Sequence, residues 1–210
     1  MEQLSALFPA AASLAMAEMD MDAPLWPEEE ALIGHAVEKR RREFALGRAA
    51  ARQALAALGA PAGAISRHED RSPIWPAGFI GSITHCNGFC GAVVARQRDI
   101  TSIGFDAEPA RPLPDGVDRR IYGAEEAAHF SALPSSVNWP KLAFSAKEAF
   151  YKCFYPMTKA RLGFHEAQVR FTPDGSFEIA SQAAAAFLDG TVQGRWLVRD
   201  GLVFTSFVKL

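Results

Sequence analysis

Three cysteines are too few for a disulfide framework in a chain of 210 residues, and a reduced setting is the simplest expectation. Cys86 and Cys90 have no second Cys or His pair nearby to complete a zinc site, so they read as small buried hydrophobes. Neither sign of charge dominates. The formal net charge of −2 excludes bulk attraction to nucleic acid or to an anionic membrane and leaves only local patches to do such work. Long hydrophobic runs are also lacking: Ala10 to Ala17 is apolar but far too short to span a bilayer, and Met1-Glu2-Gln3 is no cationic leader. A soluble, cytoplasmic protein with no membrane partner is expected. There is no P-loop and no glycine-rich nucleotide fingerprint, which argues against kinases and dehydrogenases. No sequence repeat is convincing.

What is present is an ordinary globular composition, 49% hydrophobic and 22% charged. Ala10 to Glu18 is expected as a first strand. Pro24 and Pro27 mark a turn, and Glu28, Glu29 and Glu30 sit where a helix start favours negative charge. Helix is expected from there to Leu58, broken near Gly34 and stopped by Gly59 and Pro61. Its second part, Glu43 to Leu58, is alanine-rich. Lys39, Arg40, Arg41 and Arg42 are consecutive basics, and Arg41, Arg48 and Arg52 share a face. Such a face is either solvated or a grip on phosphate groups. Nucleic-acid binding is disfavoured by the missing interleaved aromatics.

Phe79 to His85, Ala92 to Ala95 and Thr101 to Glu108 read as strands, with Asn87-Gly88 as a turn. Asp106 and Glu108 alternate with Phe105 and Ala107, so both carboxylates leave one face at a strand end. Two acids that close repel each other, and either solvent or a hard divalent cation resolves the repulsion. Pro112 to Pro114 is expected to link two halves, residues 1–110 and 111–210. In the second half, helices are expected over Ala124 to Ala132, Trp139 to Phe154 (ended by Pro156) and Ser181 to Leu188. Strands are expected over Ala167 to Thr172, Ser176 to Ala180, and a hairpin of Gln193 to Val198 with Leu202 to Lys209. In the helix from Trp139, Leu142, Ala146, Ala149 and Cys153 form the buried stripe, with Glu148 and Lys152 beside it as neighbours four apart. An exposed ion pair is the plain alternative for those two. The layout is α+β: two similar halves, each an antiparallel sheet packed with helix. The two strand acids, the Glu148/Lys152 pair and the basic helix together are the parts of an enzyme acting on a pyrophosphate with a metal.

These residues resemble a family. Gly104-Phe105-Asp106-Ala107-Glu108 followed by Phe144-x-x-Lys147-Glu148-Ala149-x-x-Lys152 is similar to the paired signature of the phosphopantetheinyl transferases. Arg42-x-Phe44-x-x-Gly47-Arg48-x-Ala50, Pro73-x-Trp75-Pro76-x-Gly78 and Gly81-Ser82-Ile83-Thr84-His85-Cys86 resemble its siderophore-synthase branch, the enterobactin synthase component D type. Phe105 departs from the usual Ile or Val and Phe144 from the common Trp, and neither change removes a functional group. The first thirty residues and those after Leu162 carry little of the signature.

The resemblance implies pseudo-symmetric halves with the active site at their interface. It implies transfer of the phosphopantetheine arm of coenzyme A to a serine of an apo carrier protein, with Mg²⁺ (or Mn²⁺ in its place) and release of 3′,5′-ADP. Asp106, Glu108 and Glu148 would hold the metal with the pyrophosphate. Glu148, directly or through water, would take the serine proton, and Lys152 would assist the leaving phosphate. Thr84 and His85 would meet coenzyme A, His85 at a phosphate. Arg40, Arg48 and Arg71 would hold the 3′-phosphate end, with Lys39, Arg41 and Arg42 as alternatives to Arg40. Lys147 fits the pattern, but the helical wheel turns it away from Glu148. A monomer is expected. The competing readings are a Mg²⁺-dependent nucleotide pyrophosphate hydrolase and a non-catalytic RNA-binding protein.

Overall fold

The computed structural model describes residues 2–210. In chain order the elements are α1 (Glu2–Ser5), β1 (Ala12–Met16), α2 (Pro27–Ile33), α3 (Glu38–Ala57), β2 (Phe79–Cys86), β3 (Phe89–Arg96), β4 (Ser102–Pro109), α4 (Asp118–Ile121), α5 (Ala124–Ser131) and α6 (Trp139–Thr158). After a short 3₁₀ turn at Phe164–Glu166 come β5 (Gln168–Phe171), β6 (Ser176–Ala180), α7 (Ala185–Leu188), β7 (Val192–Arg199) and β8 (Leu202–Lys209). Two antiparallel sheets result, ordered β1-β3-β2 and β4-β8-β7-β6-β5.

Period-2 alternation in β3 and β8 stacks the layers. Cys90, Ala92 and Val94 of β3 face α3, packing with Leu46, Ala50, Ala51 and Ala54. Phe89, Val93 and Ala95 face the second sheet, where Phe105, Phe204 and Val208 complete a core between the sheets. Its rings meet edge to face, Phe8 against Phe105 at 5.2 Å and Phe89 against Phe204 at 4.9 Å. On the far side Val203 and Phe207 of β8 pack with Leu142, Ala146, Ala149 and Cys153 of α6, the stripe read from the sequence. The order is therefore helix, sheet, sheet, helix, and the expected α+β architecture is present.

Four details differ from expectation. β4 was counted with residues 1–110, yet it pairs with β8 from Ser102↔Lys209 to Pro109↔Leu202 and belongs to the second sheet. α6 runs through Pro156 to Thr158 rather than ending before it. That position lies in the last turn, so the lost donor to Lys152 O affects only the helix end, where Thr158 Oγ1 donates to Phe154 O and Lys159 closes the helix at φ 55°. Only the end of the Ser181–Leu188 stretch is helical, because Ser181 Oγ accepts from Ala184 N and holds a turn instead. Cys86 is only half-buried, whereas Cys90 is fully buried.

The two sheets meet along β2 and β4. The Ser82 hydroxyl accepts from Phe105 N at 3.0 Å and the Thr84 hydroxyl from Ala107 N at 3.1 Å. Side-chain oxygens thus take the place of a backbone ladder at the seam.

Candidate active site

Gly104 governs how close α6 comes to β4. A Cβ there would strike the Ala149 carbonyl and the Cys153 backbone, so only glycine lets the helix lie this low. The close approach brings Lys152 Nζ to 2.7 Å from Asp106 Oδ1 and 3.1 Å from Phe105 O. Ser145 Oγ donates to Asp106 Oδ2 at 2.8 Å and stands 2.8 Å from Thr205 Oγ1. Asp106 is 4% exposed, so a carboxylate is held at the seam by donors from α6 and, at 3.4 Å, by Thr84 of β2.

Glu108 follows on the same face and meets Lys141 Nζ at 3.4 Å. Burial, and then the charge of Asp106, raise its carboxyl above the ordinary value. Glu148 is raised by the same two causes, burial first. Glu148 has no hydrogen bond or ion pair among the described residues. The plain alternative, an exposed Glu148–Lys152 pair, is therefore not made: Lys152 turns to Asp106 across the seam. Among the described residues no three His, Cys, Asp or Glu side chains already close into a metal cage. Mg²⁺ needs no such cage, since it takes one or two carboxylates plus water and substrate phosphates. Two carboxylates raised by burial and by the charge of Asp106, one of them without a partner among the described residues, suit such a cation.

On the other side of the seam, Arg40 Nη1 lies 2.8 Å from His85 Nε2 and 3.3 Å from Glu43 Oε2. A guanidinium only donates, so Nε2 accepts and the ring proton sits on Nδ1, which faces Glu43 at 3.8 Å. Burial pushes the imidazole below its ordinary value. Arg40 joins His35, Arg67 and Arg71 around a pocket of about 380 Å³. Arg71, at φ 69°, also lines a larger groove of about 1000 Å³ between the 68–75 loop with β2 and Tyr151, Lys152 and Tyr155 of α6. A third, small pocket of about 110 Å³ has Glu148 beside Tyr151, Leu162 and Phe164, which places the loop after α6 against the site.

Not every expected residue reaches these cavities. Arg48 is 5% exposed: its Nε donates to Ile65 O at 2.7 Å, Nη2 donates to Ser66 O, and the group stacks 4.3 Å from the Phe44 ring. Burial lowers it to about 10, still charged at neutral pH. It braces the segment that leads to Arg67 and lines neither cavity, because α3 packs this face inward. Thr84, expected at coenzyme A, is buried with its hydroxyl taken up by Ala107 N and Asp106, so it stands behind the site and holds β4. Arg41 pairs with Glu30 at the surface and Arg52 with the buried Glu29, so acids of α2 neutralise two of the three arginines of that face. Lys147 is buried, bound to Glu126 at 2.8 Å and to the Ile121 and Phe164 carbonyls, away from Glu148 as the helical wheel implied. Arg67 was missed. It sits outside any helical period; its pairing with Pro73 across the loop and a 2.9 Å hydrogen bond from its Nη2 to Leu32 O bring it to the basic pocket.

Two family descriptions match the chain: the 4′-phosphopantetheinyl transferase N-terminal domain over residues 28–95, and the 4′-phosphopantetheinyl transferase superfamily over residues 102–206. The chain is 41% identical over 208 residues to 4′-phosphopantetheinyl transferase PptT of Mycobacterium tuberculosis, covering 93% of this chain and 92% of that one. It is 42% identical over 190 residues to 4′-phosphopantetheinyl transferase Svp of Streptomyces mobaraensis, covering 87% and 77%. It is also 33% identical over 193 residues to enterobactin synthase component D of Salmonella typhimurium, covering 86% and 77%. The chain belongs to the 4′-phosphopantetheinyl transferase superfamily.

Proposed function

We propose that this enzyme moves the 4′-phosphopantetheine arm of coenzyme A onto a serine of an apo carrier protein or carrier domain, peptidyl, aryl or acyl, and releases 3′,5′-ADP. The observation that carries the proposal is the meeting of Asp106, Glu108, Glu148 and Lys152 at one seam, beside a groove of about 1000 Å³ and a basic pocket. The serine oxygen bonds to the phosphorus that bears pantetheine, and the bond from that phosphorus to the bridging oxygen breaks. Glu148 takes the serine proton, directly or through water. Its raised carboxyl suits a base, and a positioned base contributes about 10²–10⁴-fold. Lys152 Nζ, anchored on Asp106, faces the departing bridging oxygen. Arg40, Arg67, Arg71 and His85 hold the phosphates of the nucleotide end. Asp106, Glu108 and Glu148 would hold Mg²⁺, or Mn²⁺ in its place, which when bound neutralises charge on the pyrophosphate. Likeness to an enterobactin synthase component supports a role in siderophore or other secondary-metabolite biosynthesis.

Intact mass of an apo peptidyl carrier domain tests this after incubation with the enzyme, coenzyme A and Mg²⁺, beside an EDTA control. A gain of one phosphopantetheine that EDTA prevents is expected. Release of 3′,5′-ADP at the same rate without a carrier would replace the transferase with a pyrophosphate hydrolase.

A further inference from the structure

The 68–72 segment folds into a closed turn. Arg71 N donates to His68 O and His68 N to Ser72 O, both at 2.9 Å. Inside the turn Asp70 Oδ1 accepts from Ser72 N at 2.9 Å and from the Ser72 hydroxyl at 2.5 Å. With Oδ1 fixed there, Oδ2 reaches across the groove. It accepts from Tyr155 OH at 3.0 Å and from Lys159 Nζ at 3.1 Å, both at the far end of α6. Those partners are ordered in turn. Tyr155 stacks on Tyr151 with centroids 5.3 Å apart, and the Lys159 cation lies 5.1 Å from the Tyr155 ring. Asp70, Tyr155 and Lys159 all line the groove.

The loop between Arg67 and Arg71 is thereby tied to the helix that carries Glu148 and Lys152. We propose that Asp70 is a positioning residue which, with Tyr155 and Lys159, forms a clasp that holds the outer wall of the groove around the nucleotide end of coenzyme A. This rests on the groove being the coenzyme A site. An exposed ion pair adds little to folding by itself. A wall ordered before the ligand arrives, however, lowers the cost of ordering it on binding. Asp70 touches none of Asp106, Glu108 and Glu148, so its loss should weaken binding and leave the chemical step to those residues.

Calorimetric titration of coenzyme A into the full chain tests the clasp with four proteins: unmodified, Asp70→Ala, Lys159→Met and the double variant. Each single change should raise Kd by about 3–10-fold, and the double variant should be little weaker than either single one. In steady-state assays the change should fall on KM rather than kcat. Asp70→Asn keeps one acceptor oxygen but loses the second and the charge, so its affinity should lie between those of the unmodified protein and Asp70→Ala. Tyr155→Phe and Lys159→Met probe the clasp from the helix side and leave the loop's own turn intact. An unchanged Kd for Asp70→Ala, or two single effects that add fully in the double variant, overturns the clasp while coenzyme A binding by the unmodified protein stands. No coenzyme A binding by the unmodified protein overturns the groove and the clasp together.

Discussion

The two long helices invite comparison. α3 and α6 each have 20 residues, each packs an alanine-rich stripe on an antiparallel sheet, and each carries arginines or lysines at several turns. On α3 most of those charges are taken up by the protein itself: Arg48 by two carbonyls, Arg41 and Arg52 by α2 glutamates. On α6, Lys147 is taken up in the same way, but Glu148 and Lys152 stand at the seam. The difference comes from the strand beneath. β3 offers α3 Cys90, Ala92 and Val94. β4 offers α6 a glycine and then an acid, so the helix comes close and finds Asp106. The same building plan makes a brace in one half and a reaction centre in the other, and one strand's side chains decide which.

Six substitutions probe this contrast, from the largest expected effect downward. Asp106→Asn keeps the shape of the seam and removes its charge. Transfer measured by carrier mass should fall by about 10²–10³-fold while circular dichroism stays native. Near-normal turnover would mean that β4 does not define the centre. Lys147→Met breaks a buried pair with Glu126 and should lower unfolding free energy by about 3–5 kcal/mol in urea titrations. Lys152→Met leaves the Asp106 carboxylate to Ser145 and Thr84, so it should lower the urea midpoint less than Lys147→Met does and cut the rate; a larger stability loss for Lys152→Met with a normal rate would exchange their roles.

Glu148→Gln should abolish base function yet raise the melting temperature at neutral pH. The folded-state value of Glu148 is raised, so the native protein holds that proton more tightly than the unfolded chain does. The charged form is thus a native-state penalty that appears as pH rises through the raised value and is absent below the ordinary value. The stabilisation by Gln should accordingly vanish in melts near pH 4. The smallest effects concern the arginines. Arg67→Ala, which loses one hydrogen bond to Leu32 O, should raise the coenzyme A requirement about fivefold with a smaller loss of melting temperature than Arg48→Ala, which should act mainly on stability.

Much of the site was legible because it lies on regular elements. Period-2 alternation put Asp106 and Glu108 on one face, and the 3.6-residue period put Glu148 and Lys152 beside the buried stripe of α6. What those periods cannot carry is the partner across a seam. Lys152 reads as a neighbour of Glu148 along the helix and finds Asp106 in space. Arg48 reads as a phosphate grip because arginine suits phosphate, yet it meets the Ile65 and Ser66 carbonyls, which only the fold brings near. Arg67 belongs to an irregular loop with no period to read. β4 precedes the Pro112–Pro114 break in sequence but joins the later sheet, because the β8 pairing forms over a separation of nearly the whole second half.

The hydroxyls of Ser82 and Thr84 have a consequence outside catalysis. β4 is the terminal strand of its sheet, and an unsatisfied terminal strand invites another chain to add itself there and start an aggregate. By answering the Phe105 and Ala107 N–H groups from within, β2 takes two of the donors that border would offer a stranger. Asp106 and Glu108 are thus carried on a strand whose free border is partly answered from within the fold.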